Sequence, residues 1–253
     1  MEAGLRLPHF SIDPSRFLTE AEICLLLEKA VLAGKGFSMV RIGDGENAVL
    51  AQGILLSIEE IRQVPWRSSP AYCGIALPDF QARDELAEAV SRADLVGVLF
   101  QRECEAWAPM TEKLFDAWQI RPKRLCYAFV NRTLPSHPAF ARLLLNRDVL
   151  LVGNAMPRLA PLLERELSCH VVDVIGISRF TEIPRILERA EDADFQIALI
   201  SAGANAVILA EKLARFKNAV AIDFGHAADW LINGEIKLAR PGTGAEKDWS
   251  RRR

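Results

Sequence analysis

The chain has 253 residues, of which 50% are hydrophobic and 25% are charged, and its formal net charge is −2. A chain this apolar can bury enough surface to fold, which excludes intrinsic disorder. The near-neutral charge provides no general attraction to nucleic acid or to anionic lipid, so we expect neither as a partner.

The cysteines and the apolar segments indicate the cellular compartment in which the protein functions. The five cysteines are far apart in the sequence and form no CxxC pair or Cys/His cluster with zinc-ligand spacing. We expect buried free thiols in a reducing compartment. Residues 1–14 lack the apolar segment of a signal peptide, and no apolar run approaches the ~18 residues of a membrane span. These features predict a cytoplasmic protein without an integral membrane segment.

Short apolar, β-branched runs alternate with amphipathic runs of helix length, a pattern typical of βαβ units and a largely parallel sheet. In chain order, helices are predicted over residues 19–33, 46–52, 79–93, 107–118, 157–167, 183–190, 205–216 and 226–232. Strands are predicted over residues 37–42, 94–100, 124–130, 148–153, 170–175, 195–201 and 219–223. Residues 57–78 are rich in proline and are expected to be irregular.

A glycine-rich turn with two carboxylates follows the first predicted strand. Ligands of open α/β sheets lie beyond the carboxyl ends of the strands, and Gly43 and Gly45 allow a close approach there. Asp44 and Glu46 can converge on a hard cation such as Mg²⁺ or Mn²⁺ that also takes phosphate oxygens. Arg41 would then meet phosphate or pair with Asp44. The alternative is an ordinary turn in which Asp44 caps the helix and Glu46 favours its dipole.

Two further strand ends carry small and polar residues. A buried strand ends in Gly-Asn at Asn154, where backbone N–H groups can meet an anion, although no GxGxxG fingerprint is present. Asn154 as a plain helix cap is the alternative. Ser201 and the N–H groups near Gly203 can hold a phosphate or a sugar hydroxyl, and tight helix packing explains the small residues equally well. No GxSxG elbow is present, so Ser201 is not proposed as a nucleophile.

The last predicted strand ends in an acid that is followed by glycine and histidine. Asp223 and His226 can reach one cleft, and a histidine near a helix N-terminus tends to stay neutral, which suits a base or a hydrogen-bond donor. The alternative for His226 is a cap or interface role. Asp-Phe-Gly also occurs in kinases, but no other kinase motif accompanies it. Trp66 and Tyr72 are candidates to stack on a base or a sugar ring.

Four of these segments together resemble a known family. Residues 37–46, 152–154, 201–203 and 221–229 match, in order and spacing, motifs of the bacterial glycosyltransferases of the GT-D fold. The resemblance covers about residues 20–235. It implies a Rossmann-like, three-layer α/β domain with a mostly parallel sheet of about seven strands. We expect one such domain over residues 1–253, with short extensions at both ends.

The resemblance also implies an activity and a site. The family's Asp-x-Glu motif falls on Asp44 and Glu46, which implies divalent metal binding (Mn²⁺ or Mg²⁺), diphosphate binding and a role in catalysis. The implied donor is a nucleotide sugar, with a UDP-sugar as the expected type, and the implied acceptor is a polysaccharide, glycan or glycoprotein. Asp223, His226 and Asp229 are placed in the same cleft. The chain has Asn205 where relatives are expected to have proline.

Several alternatives stay open at this point. Asp223, His226 and Asp229 are all candidates for the general base of an inverting reaction. A non-catalytic nucleotide-sugar sensor would keep the same fold. A Rossmann methyltransferase is disfavoured, because no glycine-rich first turn with a downstream ribose-binding acid is present. A homo-oligomer is also left open.

Overall fold

The computed structural model describes residues 9–64, 73–100 and 107–240. The stacking candidates Trp66 and Tyr72, and the fifth cysteine, Cys104, lie outside the described residues. The other four cysteines are free and buried, which confirms that prediction for Cys24, Cys73, Cys126 and Cys169.

The described residues form one sheet of eight strands, in which all neighbouring strands are parallel. The strand order is β1-β4-β3-β2-β8-β7-β5-β6. In chain order the strands are β1 Phe17–Leu18, β2 Phe37–Ile42, β3 Leu95–Val98, β4 Leu125–Tyr127, β5 Asp148–Gly153, β6 His170–Ile175, β7 Ile197–Ser201 and β8 Val220–Asp223.

Helices connect the strands and cover both faces of the sheet. They are α1 Glu20–Leu32, α2 Asp44–Ala51, α3 Ile58–Ile61, α4 Phe80–Arg92, α5 Trp107–Ala117, α6 Pro138–Leu144, α7 Met156–Leu167, α8 Ile183–Glu191, α9 Asn205–Lys217 and α10 Ala227–Ile232. Short 3₁₀ turns lie at Pro14–Arg16, Ala128–Arg132, Leu134–Ser136 and Phe180–Glu182.

Two apolar layers hold the helices to the sheet. Strand β2 is buried on both faces: Val40 and Ile42 belong to one layer, and Phe37 and Met39 to the other. The first layer takes the buried faces of α2, α4, α5, α8 and α9, and the second takes those of α1, α6, α7 and α10. This arrangement confirms the predicted three-layer, Rossmann-like α/β fold.

Several local predictions differ from the structure. Helix α3 (Ile58–Ile61) lies within residues 57–78, which are expected from the sequence to be irregular, because Ser57 and Glu60 form a capping box that starts a helix there. Strand β4 ends at Tyr127 and not at residue 130, because the chain turns into the 3₁₀ segment Ala128–Arg132, whose first carbonyl accepts a hydrogen bond from Arg41 at 3.2 Å. Strand β1 is not predicted from the sequence, because its two residues are too few to show an alternating pattern. Helix α6 was not predicted. This helix follows a 3₁₀ turn and has proline at its first position. Its seven residues span barely two turns, which is too short to show a clear helical pattern.

The topology places the candidate site near the middle of the sheet. Strand β2 lies between β3 and β8, where the first half of the chain meets the second. Such a switch point opens a crevice at the carboxyl ends of the strands. Among the described residues, no helix is both long and apolar enough to cross a membrane.

Candidate functional site

A cleft of about 680 Å³ opens along the carboxyl ends of the strands. Among the described residues, all the site residues predicted from the strand ends line it except Asp223, which is only 2% exposed. The predicted residues in the lining are Arg41, Gly43, Asp44, Gly45, Glu46, Asn154, Ser201, Gly203, His226 and Asp229. Strand ends that are far apart in sequence therefore contribute to one cavity.

The turn after β2 is held by its own side chains. Gly43 is the residue before α2, and its N–H donates to Glu46 Oε2 at 2.8 Å. Asp44 is the first helical residue and not the N-cap, which corrects the capping alternative for that residue. The Asn47 amide donates to the Gly43 carbonyl, also at 2.8 Å. These contacts hold the backbone between the two carboxylates in a defined conformation.

A buried polar contact supports this turn from below. Thr111 Oγ1 donates to Asn47 Oδ1 at 2.9 Å, and both residues are fully buried. Asn47 follows directly after the Gly-Asp-Gly-Glu motif. A polar residue on the buried face of a short helix is a signal from which its role in this turn could have been predicted. Its partner Thr111 lies on α5, and nothing local in the sequence points to that contact.

Arg41 is anchored beneath the cleft. Its Nη2 donates to Asp223 Oδ1 at 2.8 Å, its Nε donates to the Asp223 carbonyl at 3.1 Å, and its Nη1 donates to the Ala128 carbonyl. The ion pair is therefore with Asp223 and not with Asp44, the partner considered from the sequence. A guanidinium group has five N–H donors, so Arg41, which is in the cleft lining, keeps donors for a ligand.

Burial sets the protonation of the two central acids. Desolvation raises the pKa of Glu46 to about 7, and the nearby charge of Asp223 adds to the rise. Desolvation also raises the pKa of Asp223, while Arg41 opposes that rise. Glu46 therefore titrates close to neutral pH, where small changes in its surroundings alter its charge.

Asn154 and Ser201 join neighbouring loops. Asn154 Oδ1 accepts from the Ile177 N–H at 3.1 Å, and its amide donates to Ser178 Oγ at 3.2 Å, so its side chain ties the β5 end to the β6 end. It does not cap α7, which is preceded by Ala155. Ser201 Oγ donates to the Gly225 carbonyl at 2.6 Å and joins the β7 end to the β8 end.

Tight packing explains the small residues after β7. Gly203 has φ +57°, and a Cβ there would lie 2.4 Å from the Cys73 carbonyl oxygen. The Ala204 N–H donates to that same oxygen at 2.7 Å. Asn205 begins α9 as predicted, and its amide donates to the Gly74 carbonyl at 2.9 Å. The Cys73–Gly74 segment thus forms a wall of the cleft that local sequence patterns did not reveal.

A further part of the cleft lining carries titratable and aromatic side chains. His226 precedes α10 and is exposed, and Asp229 lies in the first turn of that helix. Phe129, from the turn after β4, also lines the cleft, as does Arg179 after β6. The last two were not predicted as site residues, because Phe129 falls inside the predicted strand 124–130 and Arg179 lies in the loop that follows β6.

Asp44 and Glu46 supply the oxygen ligands that Mg²⁺ or Mn²⁺ prefers. Within residues 9–64, 73–100 and 107–240, no group of three or more His, Cys, Asp or Glu side chains lies close enough to share a metal ion. Two carboxylates with the remaining positions left to water and substrate phosphates are nevertheless a usual arrangement for Mg²⁺. The donor set therefore fits an ion that is completed by a phosphorylated ligand.

Comparison with known proteins agrees with this architecture. A solved structure described as the highly conserved domain of unknown function 1792, with a distinct glycosyltransferase fold, superposes with a TM-score of 0.57. It shares 18% sequence identity, and the match covers 87% of this chain and 86% of the other. No curated protein matches the sequence significantly. The profile of the GT-D fold-like domain matches residues 18–231, most of the chain. The chain therefore belongs to the GT-D fold-like family.

Proposed function

We propose that the protein is a metal-dependent glycosyltransferase that moves a hexosyl group from a nucleotide sugar, a UDP-sugar by preference, to a polysaccharide, glycan or glycoprotein acceptor. One observation carries the proposal: in a chain of this family, Asp44, Glu46, His226 and Asp229 all line the same cleft. The cavity of about 680 Å³ lies within the usual size range for small-ligand pockets.

Asp44 and Glu46 would hold the divalent metal, Mn²⁺ or Mg²⁺, at the turn after β2. When bound, the metal neutralises the charge that develops on the leaving diphosphate. The unused N–H donors of Arg41 would contact the same phosphate oxygens from below. The Asp223 carboxylate lies 2.8 Å from Arg41 and offsets its charge, so a metal ion would add positive charge where the diphosphate binds.

His226 and Asp229 are the better candidates for the general base. Both line the cleft, whereas Asp223 is buried and accepts a hydrogen bond from Arg41, which suits a positioning residue. In an inverting reaction the base takes the proton from the acceptor hydroxyl, whose oxygen bonds to the anomeric carbon. The bond from that carbon to the diphosphate oxygen then breaks, and the diphosphate keeps the electron pair.

The direct test is turnover of a panel of nucleotide sugars by the full chain, with and without Mn²⁺. We expect release of the nucleoside diphosphate with at least one donor, and a loss of about 100-fold in Glu46→Gln and in Asp44→Asn. Glu59→Gln is the matched control, since it removes the same charge from an exposed residue of α3 outside the cleft lining. Equal rates in Glu46→Gln and in the unaltered protein would refute the metal-site proposal.

The alternative is a non-catalytic nucleotide-sugar sensor with the same fold. Thermal unfolding separates the two, because a ligand that binds the folded state raises the melting temperature whether or not it is turned over. A donor that raises the melting temperature in the presence of Mn²⁺ but is never cleaved would favour the sensor. Absence of any such rise across the panel would refute nucleotide-sugar binding itself.

A further inference from the structure

Arg132 lies next to the cleft-lining residue Phe129 and contacts two aromatic rings. Its guanidinium carbon is 4.2 Å from the ring centroid of Phe129 and 5.0 Å from that of Trp230. Phe129 lines the cleft, and the Trp230 ring is 6.1 Å from the ring of His226, which also lines it. The rings hold the guanidinium plane through cation–π contacts and leave the N–H donors along its edge.

The backbone that carries Arg132 is tied to the centre of the site. The neighbouring Asn131 is buried, and its amide donates to the Phe224 carbonyl at 3.1 Å. At the other end of the same turn, the Ala128 carbonyl accepts from Arg41 at 3.2 Å. The turn Ala128–Arg132 is thus fastened both to the end of β8 and to the buried ion pair, so Arg132 has a fixed position beside the cleft.

The charge of Arg132 is available, unlike that of Arg41. Arg41 has the Asp223 carboxylate at 2.8 Å. In the part of the chain that the structure describes, no carboxylate lies within ion-pair distance of Arg132, whose recorded partners are the two rings. A guanidinium that is pre-oriented by aromatic faces and not neutralised by an acid is suited to bind a carboxylate or phosphate through two parallel hydrogen bonds.

The position relative to the candidate bases indicates which ligand carries that anion. Trp230 follows Asp229 directly in α10, and His226 precedes that helix. Since the base must touch the acceptor hydroxyl, the side of the cleft on which His226 and Asp229 lie would face the acceptor. We propose that Arg132 binds an anionic group, a phosphate or a carboxylate, on the acceptor sugar. The assignment of the anion to the acceptor rests on the proposed function, whereas the anion-binding role of Arg132 rests on its geometry.

The test compares sugars that differ only in the group at C6, neutral or anionic, on the full chain without donor or metal. The probes are glucose, glucose 6-phosphate and glucuronate, together with inorganic phosphate. The readout is the ¹⁵N Nε–Hε resonance of Arg132, which is assigned by its absence in Arg132→Lys. We expect the two charged sugars to shift this resonance and to bind about fivefold to tenfold more tightly than glucose. The stronger of the two identifies the phosphate or the carboxylate as the recognised group.

Four variants make the experiment decisive. Arg132→Gln should remove the preference for charged sugars, and Arg132→Lys should keep only part of it, because an ammonium group lacks the planar pair of donors. Arg92→Gln removes the same charge from the end of α4, away from the cleft lining, and should leave the preference unchanged. A preference that survives Arg132→Gln but disappears in Arg179→Gln would overturn the assignment and move the site to the β6 loop.

Two further results would also overturn it. One is equal binding of glucose and the charged sugars. The other is inorganic phosphate binding as tightly as glucose 6-phosphate, since the site would then recognise the ion and not a sugar that bears it. Because this binding assay needs neither turnover nor donor, it fails independently of the glycosyltransferase proposal. An active enzyme without the charge preference refutes only the role of Arg132.

Discussion

Arg41 and Asp223 form an ion pair of 2.8 Å that joins β2 to β8 directly beneath the cleft. The side chains are 15% and 3% exposed, so the pair is largely shielded from water. Removal of one partner from such a pair leaves a buried charge without compensation, which costs more than the pair itself contributes.

A double-mutant cycle tests this pair. Arg41→Met and Asp223→Leu should each destabilise the fold by about 3 kcal/mol, and the double variant should lose less than the sum of the two. Chemical denaturation measures the free energies of unfolding. Strictly additive losses would show that the two groups do not interact in the folded protein.

Gly225 is the residue that leaves room for Arg41. Its φ is +51°, and a Cβ there would lie 1.9 Å from Arg41 Nη2. We therefore expect Gly225→Ala to push Arg41 away from Asp223 and to destabilise the fold by about 3 kcal/mol. The matched control is Gly234→Ala, whose φ is +75° with no atom within 4 Å of the added Cβ. It should cost only the backbone strain, about 1 kcal/mol. Equal losses in thermal unfolding would contradict this account.

The raised pKa of Glu46 predicts a pH-dependent stability. The folded chain holds a proton on Glu46 up to a pKa of about 7, whereas the ordinary value is 4.5. The folded state thus binds more protons at Glu46 between these values, so the contribution of Glu46 to the free energy of unfolding is fully present below pH 4.5 and is lost as the pH rises through about 7.

Glu46→Gln removes that loss and keeps an oxygen to accept from the Gly43 N–H. After a discount for partial exposure, the variant should exceed the original protein by about 2 kcal/mol at pH 8 and by much less near pH 4.5. Urea denaturation in the presence of a chelator, at both pH values, measures the difference. A difference that does not change with pH would count against titration of Glu46 in this window.

The contact between Thr111 and Asn47 predicts a fourth stability effect. Thr111→Val preserves the shape of the side chain but leaves Asn47 Oδ1 buried without that donor, which should cost about 1–3 kcal/mol. Thr133→Val is the control, because Thr133 is exposed and water can replace its contact with Glu20. Equal losses of unfolding free energy in the two variants would show that the buried contact contributes no more to stability than the exposed one.

The same variant also has a functional consequence. Asn47 holds the Gly43 carbonyl, so loss of its support loosens the turn that carries Asp44 and Glu46. In Thr111→Val we expect Mn²⁺ binding to weaken by about tenfold, in the range seen when outer-shell partners of metal ligands are removed. Calorimetric titration with Mn²⁺ and a nucleoside diphosphate measures this, and unchanged affinity would show that the turn keeps its shape without Thr111.

Local patterns in the sequence determined most of the fold. Strands β2, β5 and β6 have the predicted bounds, because each is an apolar run whose ends are marked by a turn or a change of composition. The long helices agree to within a few residues for a similar reason. A one-sided apolar stripe predicts the buried face of α1 and α4, and α9 is a long apolar run that is buried on most sides. The parallel arrangement of strands then follows from their alternation with helices, and it brings the strand-end motifs to one edge.

Only the tertiary structure decided which side chains meet at that edge. Arg41 and Asp223 are 182 residues apart in the sequence, and Asn47 and Thr111 are 64 apart. The apolar pattern reports whether a residue is buried, but it does not report which strand lies beside which. The strand order brings β8 next to β2, so Arg41 pairs with Asp223 instead of with its near neighbour Asp44. The position of Arg132 against Trp230 depends on that same order, because Phe129 and Arg132 follow β4 whereas Trp230 lies on α10, after β8.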